Sequence, residues 1–411
     1  MKTRTISVLV LLAGISGANW PAFRGPNGDG HSDAAEVPLR WSEDKNVVWK
    51  TALPGHGWSS PVVWGKSVWL TTATAEGKEL FALELDLDTG KLLRKIKVFD
   101  VAEPKPKIVE GSSYASPTPI IEAGRLYVHF GTYGTACLNT ADGKKIWERR
   151  DLELDHKEGA GSSPLLYKNL LFIPCDGQDV QYLAALDCKT GKTIWKTQRT
   201  ADFKNTVPYQ RKAYVTPVIA KVGEHDQLIS PGARAAYAYD PVTGRELWKI
   251  TYKGWSNVSG PVCGHGLVFL NAGYGAIELI AVKPTGMGDV SASHIDWRLA
   301  QGIPGLSSPV LVGEHIYVCT EKGVASCIEA KTGKVIWKER LNGPVSASPI
   351  AVADRIYFPD ENGRTTVIAA SPKFKVLAVN ALDGKLRASP AVAGKSLLLR
   401  SDSHLYRIEE K

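Results

Sequence analysis

The 411 residues are 44% hydrophobic and 22% charged, with 39 Gly, 24 Pro and 12 Trp. That balance excludes a disordered chain and a collagen-like fibre, and it supplies enough apolar side chains for a large core. The formal net charge of +8 is a mild excess without a Lys/Arg run or an aromatic-basic motif, so nucleic acid is not an expected partner.

The first segment stands apart from the rest. Lys2 and Arg4 precede an apolar run from Ile6 to Leu12, and Ser16-Gly17-Ala18 offers a small-residue cleavage site. This pattern predicts a cleavable signal peptide over residues 1–18 and a periplasmic or extracellular location. No cysteine stands at the cleavage site, so a lipid anchor is not expected, and no other run is long enough to span a bilayer. Residues 19–45 are expected to form an N-terminal extension and residues 46–411 a single repeat domain.

The repeat begins at a series of prolines: Ser60-Pro61, Ser116-Pro117, Ser163-Pro164, Thr216-Pro217, Gly260-Pro261, Ser308-Pro309, Ser348-Pro349 and Ser389-Pro390, spaced 40 to 56 residues apart. Each is followed by short apolar segments and turns that read as four strands. Four strands at this period make a propeller blade, so the chain is expected to be an all-β, eight-bladed β-propeller of antiparallel blades. Proline cannot donate to a ladder and suits the start of an innermost edge strand. The hydroxyl before most of these prolines would either line the channel or bond locally at the strand start.

The turn between the third and fourth strands reads Ala-Leu-Asp-Cys-Lys-Thr-Gly-Lys-Thr-Ile-Trp over residues 185–195. Asp187 caps the turn, Gly191 supplies a positive φ, and Trp195 stands on the outermost strand, where its indole buries area against the next blade. Trp147, Trp248 and Trp337 repeat the pattern. Arg94 takes the tryptophan place in blade 1, Trp297 follows an insertion in blade 5, and blade 7 lacks the motif. The last unit ends after three strands, at His404 to Ile408, while Asn46-Val-Val-Trp-Lys50 reads as an outer strand. The N-terminal strand is therefore expected to complete blade 8 and remove its free edge.

The Ala-x-Asp-x-x-Thr-Gly-Lys-x-x-Trp turn resembles the tryptophan-docking motif of the PQQ-like propellers, a superfamily that includes quinoprotein alcohol dehydrogenases and the outer-membrane assembly scaffold BamB. The stretch Asn19-Trp-Pro-Ala-Phe-Arg-Gly-Pro-Asn-Gly-Asp-Gly30 resembles the opening of exported PQQ-like repeat proteins of planctomycete-type bacteria. The dehydrogenase branch implies PQQ held against a disulfide of adjacent cysteines, beside a calcium site and an aspartate base. This sequence has no Cys-Cys pair and no matching motif. The resemblance thus implies the fold, and the expected function is a non-catalytic binding or scaffolding module. The alternative is a PQQ- and calcium-dependent dehydrogenase with an atypical site.

In a propeller the loops entering the inner strands and those between second and third strands share one face. Tyr133 and Tyr274 occupy equivalent, glycine-flanked loops there, and glycine lets backbone approach a ligand closely. The candidate binding residues are Tyr114, Tyr133 and Tyr274, with Asp176, Arg234 and Arg364 as polar anchors. The expected partner is a protein surface, or a small or saccharide ligand. The same loops equally suit tight hairpins that bind nothing. Nine dispersed histidines without metal-ligand spacing give no metal site. Of the six cysteines, Cys319 and Cys327 share a hairpin; a two-residue turn at Lys322-Gly323 would set them on opposite faces.

Overall fold

A computed structural model of the protein describes residues 19–105, 108 and 111–410; the signal peptide expected over 1–18 lies outside them. Eight sheets form the ring: blade 1 (62–100), blade 2 (120–149), blade 3 (165–198), blade 4 (218–251), blade 5 (262–299), blade 6 (310–340), blade 7 (350–381) and blade 8 (391–408, completed by Val47–Ala52). Helix is confined, among the described residues, to two 3-10 turns, Gly131–Tyr133 and Pro208–Gln210. The middle strands are continuous buried runs, as in Leu170–Asp176, because each blade is covered on both faces by a neighbour. Outer strands such as Thr193–Gln198 expose alternate residues.

Two kinds of contact hold neighbouring blades in register. At the outer end, tryptophan indoles donate across the joint: Trp49 to Leu87 O (2.9 Å), Trp147 to Cys188 O (2.9 Å), Trp195 to Pro241 O (3.2 Å), Trp297 to Ala330 O (3.0 Å) and Trp337 to Ser371 O (3.1 Å). The Trp49 ring lies against Gly90, whose φ of +71° and close approach to the indole leave no room for a side chain. Arg94 fills the tryptophan place by donating to Thr140 O. Trp248 behaves differently. It bonds Gln227 Oε1, and the blade 5 insertion adds Gly288–Asp289 as a parallel strand beside it.

At the inner end, a backbone N–H of one blade donates to the hydroxyl of the next: Ser60 to Thr118, Thr118 to Ser163, Ser163 to Thr216, Gly260 to Ser308, Ser308 to Ser348 and Ser348 to Ser389, all at 2.9–3.0 Å. The hydroxyls of Thr118, Ser163, Thr216, Ser308, Ser348 and Ser389 are thus inter-blade acceptors, whereas that of Ser116 bonds locally with Ser113. This relay corrects the start of blade 2. Its strand Ile120–Glu122 follows Pro119, and Thr118, not Ser116, occupies the relay position. The relay skips Gly260, which has no hydroxyl to offer Thr216. Blade 8 is tied to blade 1 by Arg400, which donates to Ser59 O, Ser59 Oγ and Thr71 O.

The N-terminal strand completes blade 8 as expected, with Trp49 opposite Arg407 and Thr51 opposite Leu405. The residues before it replace the motif that blade 7 lost. Trp41 is buried against Tyr357 with rings stacked at 6.4 Å, and Asn380 of the outer strand bonds Trp41 N and Leu39 O. The preceding segment lies on the channel edges of inner strands: Trp20 bridges Val63, and His31–Ser32 pairs in parallel with Ala351–Val352. The hairpin of blade 6 also differs from expectation. Cys319 pairs with Ala325 and Cys327 with Tyr317, so the two cysteines share a face; both remain buried free thiols.

The relay gives a paired test. Ser308→Ala strands the buried Gly260 N–H and is expected to cost about 1–3 kcal/mol in urea unfolding. Ser307 is equally buried, but its hydroxyl has no partner. Ser307→Ala is expected to be neutral or stabilising in the same measurement.

Candidate functional site

The loops before inner strands meet the second-to-third-strand loops on one face, as in the bridges His56–Ala73 and Trp255–Tyr274. Two aromatic groups stand on that face. In the first, Tyr114 and Tyr133 pack at 6.0 Å, and Tyr133 meets the His156 ring edge-on at 6.0 Å. Their polar tips are engaged by the chain itself: Tyr114 donates to Lys105 O (2.7 Å), and Lys105 N donates to the Tyr133 hydroxyl (3.0 Å). Burial raises the pKa of both phenols.

In the second group, Trp255 is flanked edge-on by Tyr209 at 6.3 Å and Tyr274 at 6.0 Å. Tyr274 is 66% exposed and Tyr209 44%. Pro208 starts the 3-10 turn that carries Tyr209, its fixed φ suiting a first helical position. Residues 155–158 link the two groups. Asp155 pairs with Lys105, Lys157 lies over the Tyr209 ring at 5.7 Å, and Glu158 holds both Tyr214 and Lys212 (2.7 Å). Lys212 also donates to Ser256 Oγ (2.6 Å), and its burial lowers its pKa despite Glu158.

The structure therefore brings Tyr114 and Tyr133 together and sets Tyr274 apart, three blades further round. Arg234 is near Tyr274 in the fold. It lines a groove of about 740 Å³ between blades 4 and 5 with Lys204, Lys253, Ile277, Glu278 and Arg298. Arg364 is exposed on blade 7, away from both groups. Asp176 is no open anchor. Its carboxylate is buried in a bidentate pair with Arg199 (3.0 and 2.8 Å), which also bonds Ser230 and Tyr239. The sequence reading missed Tyr209 and Lys212, for which the long connection between blades 3 and 4 was the available signal; His156, in the connection between blades 2 and 3, is buried.

Among the described residues no three His, Cys, Asp or Glu side chains gather as metal ligands, and no two of the six cysteines are adjacent. The arrangement offers apolar contact and positive charge on an open face.

The fold and its blade joints define a PQQ-like β-propeller. Residues 43–225, 182–286 and 278–373 match the family described as outer membrane protein assembly factor BamB, and the chain belongs to that family. It is 21% identical over 257 residues to that factor from Shewanella oneidensis, covering 56% of this chain; the chain spans only 58% of the length of this curated relative. BamB from Moraxella catarrhalis superposes with a TM-score of 0.59 at 11% identity, covering 88% of this chain and 99% of that one. Quinohemoprotein alcohol dehydrogenase from Comamonas testosteroni gives 0.67 at 10% identity, covering 96% and 81%. A europium-containing methanol dehydrogenase gives 0.65 at 11% identity, covering 94% and 89%. These likenesses show the shared fold. Among the described residues, no helix is long and apolar enough to cross a membrane.

Two buried histidines make stability depend on pH. Burial lowers the pKa of His129 to about 3 and of His156 to about 4. Unfolding returns them to about 6.5, so the unfolded chain takes up protons first as pH falls. Their contribution is complete above pH 6.5 and is lost progressively below it. Stability is expected to drop by up to about 1.4 kcal/mol per pH unit per histidine between pH 6 and 5, with His156→Gln shallower in urea titrations. Asp176→Asn, which leaves Arg199 buried without its counter-charge, is expected to cost about 3–5 kcal/mol.

Proposed function

We propose that the chain is an exported, non-catalytic scaffold that holds a protein partner on its loop face, in the periplasm or outside the cell. The observation that carries this reading is the cluster of exposed apolar side chains on neighbouring loops: Val207, Tyr209, Tyr274 and Leu306. Exposed aromatics of this kind act as anchors in interfaces, where a few residues carry most of the affinity. The adjacent groove adds Lys204, Arg234 and Lys253. Ridge and groove together fit a polypeptide segment with apolar side chains followed by acidic ones. Membership of the BamB family supports a protein partner over a saccharide, and the signal-peptide pattern supports export.

A photo-crosslinking residue at position 274 tests this reading, with position 194 on an exposed outer strand as the control. A discrete protein adduct is expected at 274 alone. Trp255→Ala is then expected to weaken binding of the identified partner at least tenfold, which is about 1.4 kcal/mol. Unchanged binding would remove the ridge from the account. Saturable PQQ and calcium binding with dye-linked alcohol oxidation would overturn the scaffold reading in favour of a dehydrogenase.

A further inference from the structure

Among the described residues, eight non-glycine residues have a positive φ. Lys168, His265 and Ala353 sit in two-residue hairpin turns, where that conformation is at home. Three others gather around the ridge and its groove: Asn205 (φ 59°), Arg234 (φ 63°) and Ser256 (φ 49°). A left-handed backbone is unfavourable for a residue with a Cβ, so it persists only where the surroundings impose it.

At Ser256 the imposing group is Lys212. Ser256 N donates to Lys212 O (2.9 Å), and Lys212 Nζ donates to Ser256 Oγ (2.6 Å), so one residue grips both the backbone and the side chain of the serine. The lysine is buried and is held in turn by Glu158 (2.7 Å), which also accepts from the Tyr214 hydroxyl. After Ser256 the chain is anchored by Tyr214 N, which donates to Asn257 O (2.7 Å), and by the buried Asn257 amide, which donates to the Tyr252 hydroxyl (2.9 Å) and to Asn271 O (3.0 Å). Before it, Gly254 passes so close to Ala272 O that no Cβ would fit, and Trp255 N donates to Tyr274 O (3.0 Å). The Trp255 ring itself lies on Gly275, where a side chain would collide with the indole.

We propose that Lys212 is a positioning residue for the ridge: by holding Ser256 in its left-handed conformation, it sets Trp255 between Tyr209 and Tyr274 before a partner arrives. This rests on the reading of the ridge as a docking surface. A ridge already ordered in the free protein loses less conformational freedom on binding. An apolar side chain at position 212 would be cheaper to bury than a lysine with its glutamate, and the ion pair supplies one fixed geometry in exchange.

Fluorine NMR of the full chain labelled with fluorotryptophan tests the positioning, with the Trp255 line assigned by its loss in Trp255→Phe. The wild type is expected to give a single sharp line for Trp255. In Lys212→Met that line is expected to broaden or split while the lines of the rim tryptophans stay in place. Should Lys212→Met fail to fold, Ser256→Gly, which adopts the same φ without strain and removes the hydroxyl, is expected to show the same change with Tm no lower than the wild type's. A purely structural role would lower Tm and leave the Trp255 line of the folded variants single and sharp, and that result would overturn the proposal. The yield of the adduct photo-crosslinked from position 274 is expected to fall about tenfold in Ser256→Gly. An unchanged yield from a variant with a broadened Trp255 line would also overturn it. Absence of an adduct in the wild type would count against the docking surface alone, because the fluorine lines judge Lys212 without a partner.

Discussion

A blade of this chain is apolar on both faces, so no blade can bury its middle strands without a neighbour on each side. That constraint makes the joint between blades the decisive interaction. Each regular joint is fastened twice, by an indole at the rim and by a hydroxyl near the channel. The indole supplies most of the buried area, and removing a buried tryptophan typically costs about 3–5 kcal/mol. The hydroxyl contributes about 1 kcal/mol net but fixes the register, because a slipped blade would leave a buried N–H unpaired. Where one fastener is absent, another group covers the joint. Arg94 donates in place of an indole, Arg400 joins blade 8 to blade 1, and Trp41 packs where blade 7 has no motif.

The sequence showed the ring because its rule is local and repeated: a proline at each inner-strand start and, in most blades, a tryptophan after the glycine turn between the third and fourth strands. It also showed the closure, since three strands at one end and a spare outer strand at the other have one economical solution. Finer register was not legible. Ser116-Pro117-Thr118-Pro119 contains two candidate starts, and only the neighbouring blade's N–H selects Thr118. The blade 6 hairpin is one residue off expectation, which changes the face on which Cys327 falls relative to Cys319.

The binding face was legible by residue type and obscure in arrangement. Tyr133 and Tyr274 have equivalent places in their blades, yet Tyr133 is folded against Tyr114 and Lys105 while Tyr274 stands out beside Trp255. The difference comes from the long connections that lie over each loop, and those have no repeat to read. Asp176 looked like an exposed anchor because it ends a strand at a loop; its partner Arg199 is 23 positions away and buries it. The stretch Asn19–Gly30 was visible as a motif, but its place along the inner strands depends on contacts with blades on opposite sides of the ring.

The central claim is that the ring is one cooperative unit fastened through the strand Val47–Ala52 and the hydroxyl relay. Native-state hydrogen exchange of the amides of Ser60, Ser163, Gly260, Ser308 and Ser348, in the wild type and in Trp49→Ala, tests it most directly. The account predicts that in the wild type these amides exchange only with global unfolding. In Trp49→Ala all five should lose protection by a similar factor, although blades 3 to 7 lie away from the substitution. Loss of protection confined to blades 8 and 1, with Gly260 and Ser308 unchanged, would contradict it.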